Sequence, residues 1–257
     1  MPRFAANLGY LFTEHEFLDR FAAAAQARFR AVEFAQPYAW PTADIAARLR
    51  GNGLECILVN LPMGDRAKGD FGIACRPGRE ADFRAGVAKG IEYAHALGVP
   101  KMNCISGTVA SGDDPRALRE TLVSNLRYAA REFKAAGLDL VVEPINTHDV
   151  PGFFVSRSHE ADRIIAEVGE PNVGLQCDLY HTAMMGDDPA AILEAHRGVI
   201  RHIQFADAPG RHEPGSGKID FASLFPLIDR LGYGGWVSAE YKPTRRTEDT
   251  LSTFMPA

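Results

Sequence analysis

Short apolar, β-branched runs alternate with helical stretches eight times along this chain, and that alternation constrains its fold more than any other feature. The strand-like runs cover residues 4–8, 29–34, 54–61, 101–105, 138–143, 173–178, 200–206 and 236–240. Between them lie helical patterns at 41–53, 79–97, 111–137, 158–168, from 187 onward, and 221–231. Thr13, with Glu16 three residues later, reads as the cap of the first helix. Strand–helix repeats of this kind require right-handed crossovers and a parallel sheet. Eight units in 257 residues match an α/β fold of the (β/α)8 TIM barrel type, one domain over residues 1–257. An open doubly wound sheet would want a glycine-rich phosphate turn after its first strand. Asn7-Leu8-Gly9-Tyr10 is not one. The polar, glycine-bearing segment 62–78 reads as a lid or binding loop. Only residues 242–257 follow the last strand, which leaves part of the outer ring thinly covered and favours a homo-oligomer.

Composition narrows the class of partner. Hydrophobic residues make up 46% and charged residues 24%, enough for a full core, and the net charge of −5 comes with no basic stripe. Nucleic acid is therefore not expected as a partner. The cysteines Cys56, Cys75, Cys104 and Cys177 include no C-x-x-C pair, so reduced, buried thiols are expected rather than a zinc ribbon or disulfide framework. No apolar segment approaches the ~20 residues that span a bilayer, and the N-terminus does not read as a signal peptide. A cytoplasmic enzyme with a small-molecule substrate and no membrane association is the expectation.

The fifth run ends in Glu143-Pro144. A proline cannot donate to a ladder, so pairing stops there and the carboxylate is left at the strand mouth. In a barrel the chemistry gathers at the C-terminal mouths. The sixth run ends in Asp178, with His181 three residues on. The seventh carries Gln204, and the eighth ends in Glu240. Each alone fits a rim residue in a private salt bridge. Together, three carboxylates and an amide oxygen on consecutive strands would repel unless a cation sat among them. Hard oxygen ligands suit one divalent cation, Mg²⁺ or Mn²⁺. His181 fits either a group facing a substrate oxygen or a satisfied rim histidine. Arg211, in the Gly/Pro-rich loop after the seventh run, fits either an anchor for an anionic substrate or a solvated arginine. Asn7, Asn60 and Asn103 either orient a hydroxyl or close a turn. His202 reads as facing away from the lumen, in the core or at an interface.

The blocks Glu143-Pro144-Ile145-Asn146, Asp178-Leu179-Tyr180-His181, His202-Ile203-Gln204-Phe205-Ala206-Asp207, Glu213-Pro214-Gly215-Ser216-Gly217 and Glu240-Tyr241-Lys242-Pro243 resemble those of the hydroxypyruvate isomerase family. That family belongs to the xylose-isomerase-like barrels, with ketose 3-epimerases and endonuclease IV. The similarity runs end to end and includes Phe4-Ala5-Ala6-Asn7-Leu8, Asn60-Leu61-Pro62 and Asn125-Leu126-Arg127-Tyr128-Ala129. It implies that Glu143, Asp178, Gln204 and Glu240 bind one divalent metal and that Glu143 and Glu240 form an acid/base pair. It also implies isomerisation of hydroxypyruvate to tartronate semialdehyde through an enediolate, with His181 and Arg211 holding substrate oxygens and carboxylate. A close branch acts on 2-oxo-tetronate, a four-carbon sugar acid, and no residue here excludes it. Gln204 stands where ketose epimerases usually carry histidine, which favours the isomerase branch over a 3-epimerase. An endonuclease IV-like enzyme would need a His-rich zinc centre and a basic face. A non-catalytic sugar-acid binding protein would need neither facing carboxylates nor a metal.

Overall fold

All eight apolar runs become strands in the computed structural model, which describes residues 1–255. They are β1 Arg3–Asn7, β2 Ala31–Phe34, β3 Glu55–Asn60, β4 Lys101–Cys104, β5 Asp139–Val142, β6 Val173–Asp178, β7 Ile200–Phe205 and β8 Trp236–Ala239. Each pairs in parallel with the next, and β8 returns to pair with β1, so the sheet closes into a barrel. The helices are α1 Arg20–Gln26, α2 Thr42–Asn52, α3 Glu80–Leu97, α4 Pro115–Ala135, α5 Ser158–Val168, α6 Leu179–Met184, α7 Pro189–His196, α8 Phe221–Arg230 and α9 Thr247–Thr250.

Strand periodicity sorts side chains into two cores. Leu140 and Val142 of β5 join the main apolar layer between barrel and helices, with Leu126, Phe133, Ile164 and Leu175. Val141, one residue out of phase, belongs instead to a small cluster with Ala5, Ala31, Ile57 and Leu58. Continuing that alternation by two residues points Glu143 into the barrel mouth. Several helices begin where a carboxylate satisfies a first-turn N–H. Asp114 accepts from Arg116 at 3.0 Å ahead of α4, and Asp188 accepts from Ala190 at 3.0 Å ahead of α7. Gly98 ends α3 at φ 67°, a left-handed turn that costs glycine little.

Three local features depart from or add to these expectations. Thr13 does not cap a helix: α1 begins only at Arg20, after a 3-10 turn over Phe17–Asp19. Glu14 instead accepts the backbone N–H and hydroxyl of Thr247 at 2.5 and 3.1 Å, and that buried threonine accepts the N–H of Phe12 at 2.7 Å. A long-range tie to the C-terminal segment replaces the local cap. Second, α6 directly follows β6, because Asp178 accepts the N–H of Tyr180 at 2.9 Å and so starts a helix at the strand end. Third, the tail forms only α9 and a 3-10 turn, Leu251–Thr253. Phe254 then packs edge-on against Phe4 and Phe205, each with ring centroids 5.1 Å away, covering the outer face of β1 and β7.

The second half of segment 62–78 is tied to the barrel. Cys75 N–H donates to the Ser106 carbonyl at 2.8 Å, and Asn125 Nδ2 donates to the Ala74 carbonyl at 2.9 Å. Gly72, at φ 87°, lies so near Ile105 that a Cβ would meet its carbonyl oxygen at 2.5 Å. The four cysteines are buried and free. Among the described residues no helix is long and apolar enough to cross a membrane.

Candidate active site

Every strand of the barrel carries a buried polar side chain at or near its C-terminal end. In strand order they are Asn7, Glu33, Asn60, Asn103, Glu143, Asp178, Gln204 and Glu240, all buried. A cavity of about 590 Å³ opens above them. Its polar wall includes Asn60, Glu143, His181, Arg211 and Glu240, and its apolar wall includes Met63 and Phe71 from segment 62–78.

Arg211 organises the carboxylates. Its Nη2 donates to Asp178 Oδ2 at 3.1 Å and to Glu240 Oε2 at 2.5 Å. Tyr10 and Tyr180 flank the guanidinium, with ring centroids 4.7 and 4.8 Å from Cζ. The guanidinium is thus largely committed to two carboxylates. Its backbone is left-handed at φ 60°. Asp207 braces the loop that holds it there, accepting four backbone N–H groups from Ala208, Gly215, Gly217 and Ile219.

Each glutamate of the expected acid/base pair is gripped by one amide. Asn103 Nδ2 donates to Glu143 Oε2 at 2.7 Å, and Asn7 Nδ2 donates to Glu240 Oε1 at 2.8 Å. Burial, then repulsion from Asp178, pushes the Glu143 carboxyl up to about 8. Burial raises Glu240 well above the ordinary carboxylate range; Arg211 opposes that shift, while Asp178 and Glu143 reinforce it. His181 follows Asp178 on the first turn of α6. Its Nδ1 lies 2.6 Å from Asn146 Nδ2, and its Nε2 lies 3.5 Å from Asp178 Oδ2 and 3.9 Å from Glu143 Oε1. Burial lowers it to about 4, so the ring is neutral at pH 7.

Glu143, Asp178 and His181 each offer one ligand atom within 4.8 Å of the others, a buried group that can hold a metal ion. The donor set fits a divalent cation. Glu143, whose carboxyl burial and Asp178 push upward, is a group that a cation relieves, and its charge would reverse that shift. Of the four expected ligands, Glu143 and Asp178 fall in this group. Glu240 stands on the other side of Arg211. Gln204 is engaged lower in the barrel, its Nε2 donating to Glu33 Oε1 at 2.6 Å and its Oε1 accepting from Gln176 at 2.5 Å.

Among the remaining expected residues, Asn60 lines the cavity and Asn7 lies beneath it, between Glu33 and Glu240. His202 does not face away from the lumen. It shares the phase of Gln204 two residues on and lies inside the barrel, its Nε2 2.6 Å from Glu33 Oε2. Glu33 itself is a buried carboxylate that the residue-by-residue reading passed over. Its signal was visible: a lone acid in Ala31-Val32-Glu33-Phe34, in a strand otherwise apolar.

A closed parallel barrel with buried carboxylates gathered at its mouth, beside a metal-capable group, defines the class: a TIM-barrel enzyme. The family model for xylose isomerase-like TIM barrels matches residues 21–255. A hydroxypyruvate isomerase of Escherichia coli is 44% identical over 100% of this chain and 99% of its own. A 2-oxo-tetronate isomerase of Cupriavidus necator is 43% identical over 100% and 98%. The crystal structure of a Brucella melitensis protein named as a family 2 AP endonuclease superposes with a TM-score of 0.97 at 41% identity, over 100% of this chain and 99% of that one. The chain belongs to the xylose isomerase-like TIM barrel family, and within it to the hydroxypyruvate isomerase-like enzymes.

Proposed function

We propose that this enzyme interconverts the keto and aldehyde forms of a small hydroxy acid, hydroxypyruvate and tartronate semialdehyde, with 2-oxo-tetronate as the four-carbon alternative. The observation that carries the reading is that Glu143 and Glu240, from strands three apart in the closed barrel, flank one cavity with Asp178 between them in strand order. The isomerases of Escherichia coli and Cupriavidus necator support it by their likeness over the whole chain.

The reaction needs one proton removed from C3 and one delivered to C2, while the hydroxyl proton passes from O3 to O2; no redox partner is consumed. Glu240 takes the C3 proton, and Glu143 returns a proton at C2 from its own side of the planar enediolate. Asn7 and Asn103 hold the two carboxylates in register for these transfers. His181 and Arg211 line the cavity beside them and face the substrate's oxygens, and Asn60 closes the opposite rim. Arg211 already serves Asp178 and Glu240, so the substrate carboxylate calls for a second cation. Lys242 lines the cavity, is exposed, and has no carboxylate partner among the described residues. Glu143, Asp178, Gln204 and Glu240 would hold one divalent cation, Mg²⁺ or Mn²⁺, with His181 beside them. When bound, it supplies Lewis-acid polarisation of the substrate carbonyl.

The test is turnover of hydroxypyruvate and 2-oxo-tetronate by the Mn²⁺-reconstituted enzyme, followed by NMR in D₂O. Glu143→Gln and Glu240→Gln each lose at least ~10²-fold in kcat with the fold retained. Near-normal turnover in either variant refutes its role. The name of the Brucella protein carries a DNA-repair reading, for which an acidic chain with one histidine in the cavity wall is poorly equipped. Cleavage of abasic DNA, with neither acid turned over, would decide for that reading instead.

A further inference from the structure

Beneath the proposed acid/base pair lies a second charged centre to which the reaction assigns no work. Glu33 is fully buried, and its carboxylate faces His202 on one side and two amides on the other. Oε2 lies 2.6 Å from His202 Nε2. Oε1 accepts from Gln204 Nε2 at 2.6 Å and from Asn7 Nδ2 at 2.9 Å. The same Asn7 nitrogen reaches Glu240 Oε1 at 2.8 Å. The Asn7 carbonyl is taken by the N–H of Gly9 at 2.9 Å, so its amide nitrogen must face the two carboxylates. Gln204 has no freedom to turn either, since an acid at Glu33 accepts only from its NH₂.

We propose that Glu33 is a positioning residue for the isomerisation: it fixes Asn7, and through Asn7 the Glu240 carboxylate, while locking Gln204 with its carbonyl oxygen away from Glu33. The inference rests on the acid/base reading given above. Two features separate it from a merely structural role. Filling the lumen needs no charge, and burying a carboxylate there is a costly way to do it; the layer beneath is built from alanine, valine, leucine and isoleucine. Moreover, the polar interior is satisfied unevenly. Among the described residues His202 Nδ1, Gln176 Oε1, Ser238 Oγ and Asn103 Oδ1 find no partner, whereas both Glu33 oxygens are engaged and the Asn7 nitrogen joins Glu33 to Glu240. Through Asn7 the path from Glu33 to Glu240 is unbroken.

The test compares wild type with Glu33→Gln, which keeps the shape but turns one acceptor into a donor. Outer hydrogen-bond partners of this kind are worth ~10–100-fold. The expected result is a kcat lower by that factor with KM little changed, and Mn²⁺ binding weakened over the same range by titration calorimetry. Combined with Asn7→Ala, the losses in kcat are less than multiplicative, because both variants break the same path. Should Glu33→Gln fail to fold, Glu33→Asp keeps the charge opposite His202 but shortens the reach to both amides, and it shows the same kcat loss. Wild-type kcat and Mn²⁺ affinity in a folded Glu33 variant overturns the proposal, as does a fully multiplicative double variant. A wild-type enzyme inactive on both acids defeats the isomerase reading instead, and the Mn²⁺ titration still judges Glu33.

Discussion

The loop that delivers Arg211 hangs on one carboxylate, and replacing that carboxylate is the sharpest test of how the site is assembled. Asp207 is fully buried two residues past the end of β7. Its Oδ1 accepts the N–H groups of Ala208 and Ile219 at 2.8 and 3.0 Å, and its Oδ2 accepts those of Gly215 and Gly217, both at 2.8 Å. The packing leaves no slack: a Cβ on Gly217 would meet Asp207 Oδ1 at 2.5 Å. Asp207→Asn preserves shape and exchanges one oxygen for NH₂. Whichever way the amide settles, two backbone donors then face a donor. Each orphaned N–H costs ~1–3 kcal/mol, and the left-handed backbone at Arg211, itself costly for a residue with a Cβ, loses its support. Water entering from the exposed rim of the loop recovers part, leaving about 3 kcal/mol in all. For a chain of this size that lowers the melting temperature by about 6–12 °C. Arg211 then no longer holds Asp178 and Glu240 in place, and kcat falls by about tenfold or more. Calorimetry and steady-state turnover measure the two effects. A variant melting within about 2 °C of wild type with unchanged kcat refutes the account of the loop.

Two further outcomes follow from the charges at the site. In EDTA, stability falls as pH rises from 6.5 to 8. Burial and Asp178 carry Glu143 from 4.5 to about 8, so in this window the folded chain keeps a proton that the unfolded chain has lost. Each retained proton contributes a slope on the order of −1 kcal/mol per pH unit, and Glu240, also raised by burial, acts in the same direction. The Glu143 contribution is fully present below 4.5 and gone once pH has climbed through 8. Below 6.5 the neutral His181 works the other way, gaining stability as pH rises from about 4. Saturating Mn²⁺ reverses the upper slope, because ligands bind deprotonated; melts that rise between pH 6.5 and 8 in EDTA contradict this. Lys242→Ala raises KM for either acid about tenfold or more, the loss of one charge-assisted contact of ~1.5–3 kcal/mol, with kcat little changed. A KM equal to wild type removes Lys242 from the substrate site.

Much of the barrel was legible because strands are local. A mostly apolar run over 138–143, stopped by Pro144, was enough to set Glu143 at a strand mouth. The same reasoning found Asp178 and Glu240, and eightfold repetition named the fold. Applied consistently it would also have kept His202 inside with Gln204, since residues two apart in a strand share a face. Thr13 shows the opposite limit: a valid local cap signal lost to Glu14 and its contact with Thr247, 233 residues away in the chain.

The amino-acid order alone determined the eight strands, the side each residue faces, and the resemblance that names the family, because those depend on neighbours within a few positions. Closure of the barrel decided the rest. It set Arg211 between Asp178 and Glu240, gave Asp207 its four donors, and joined Glu33 to His202 across 169 residues. A charge finds its partner through space, and only the folded chain defines which distant residues share that space.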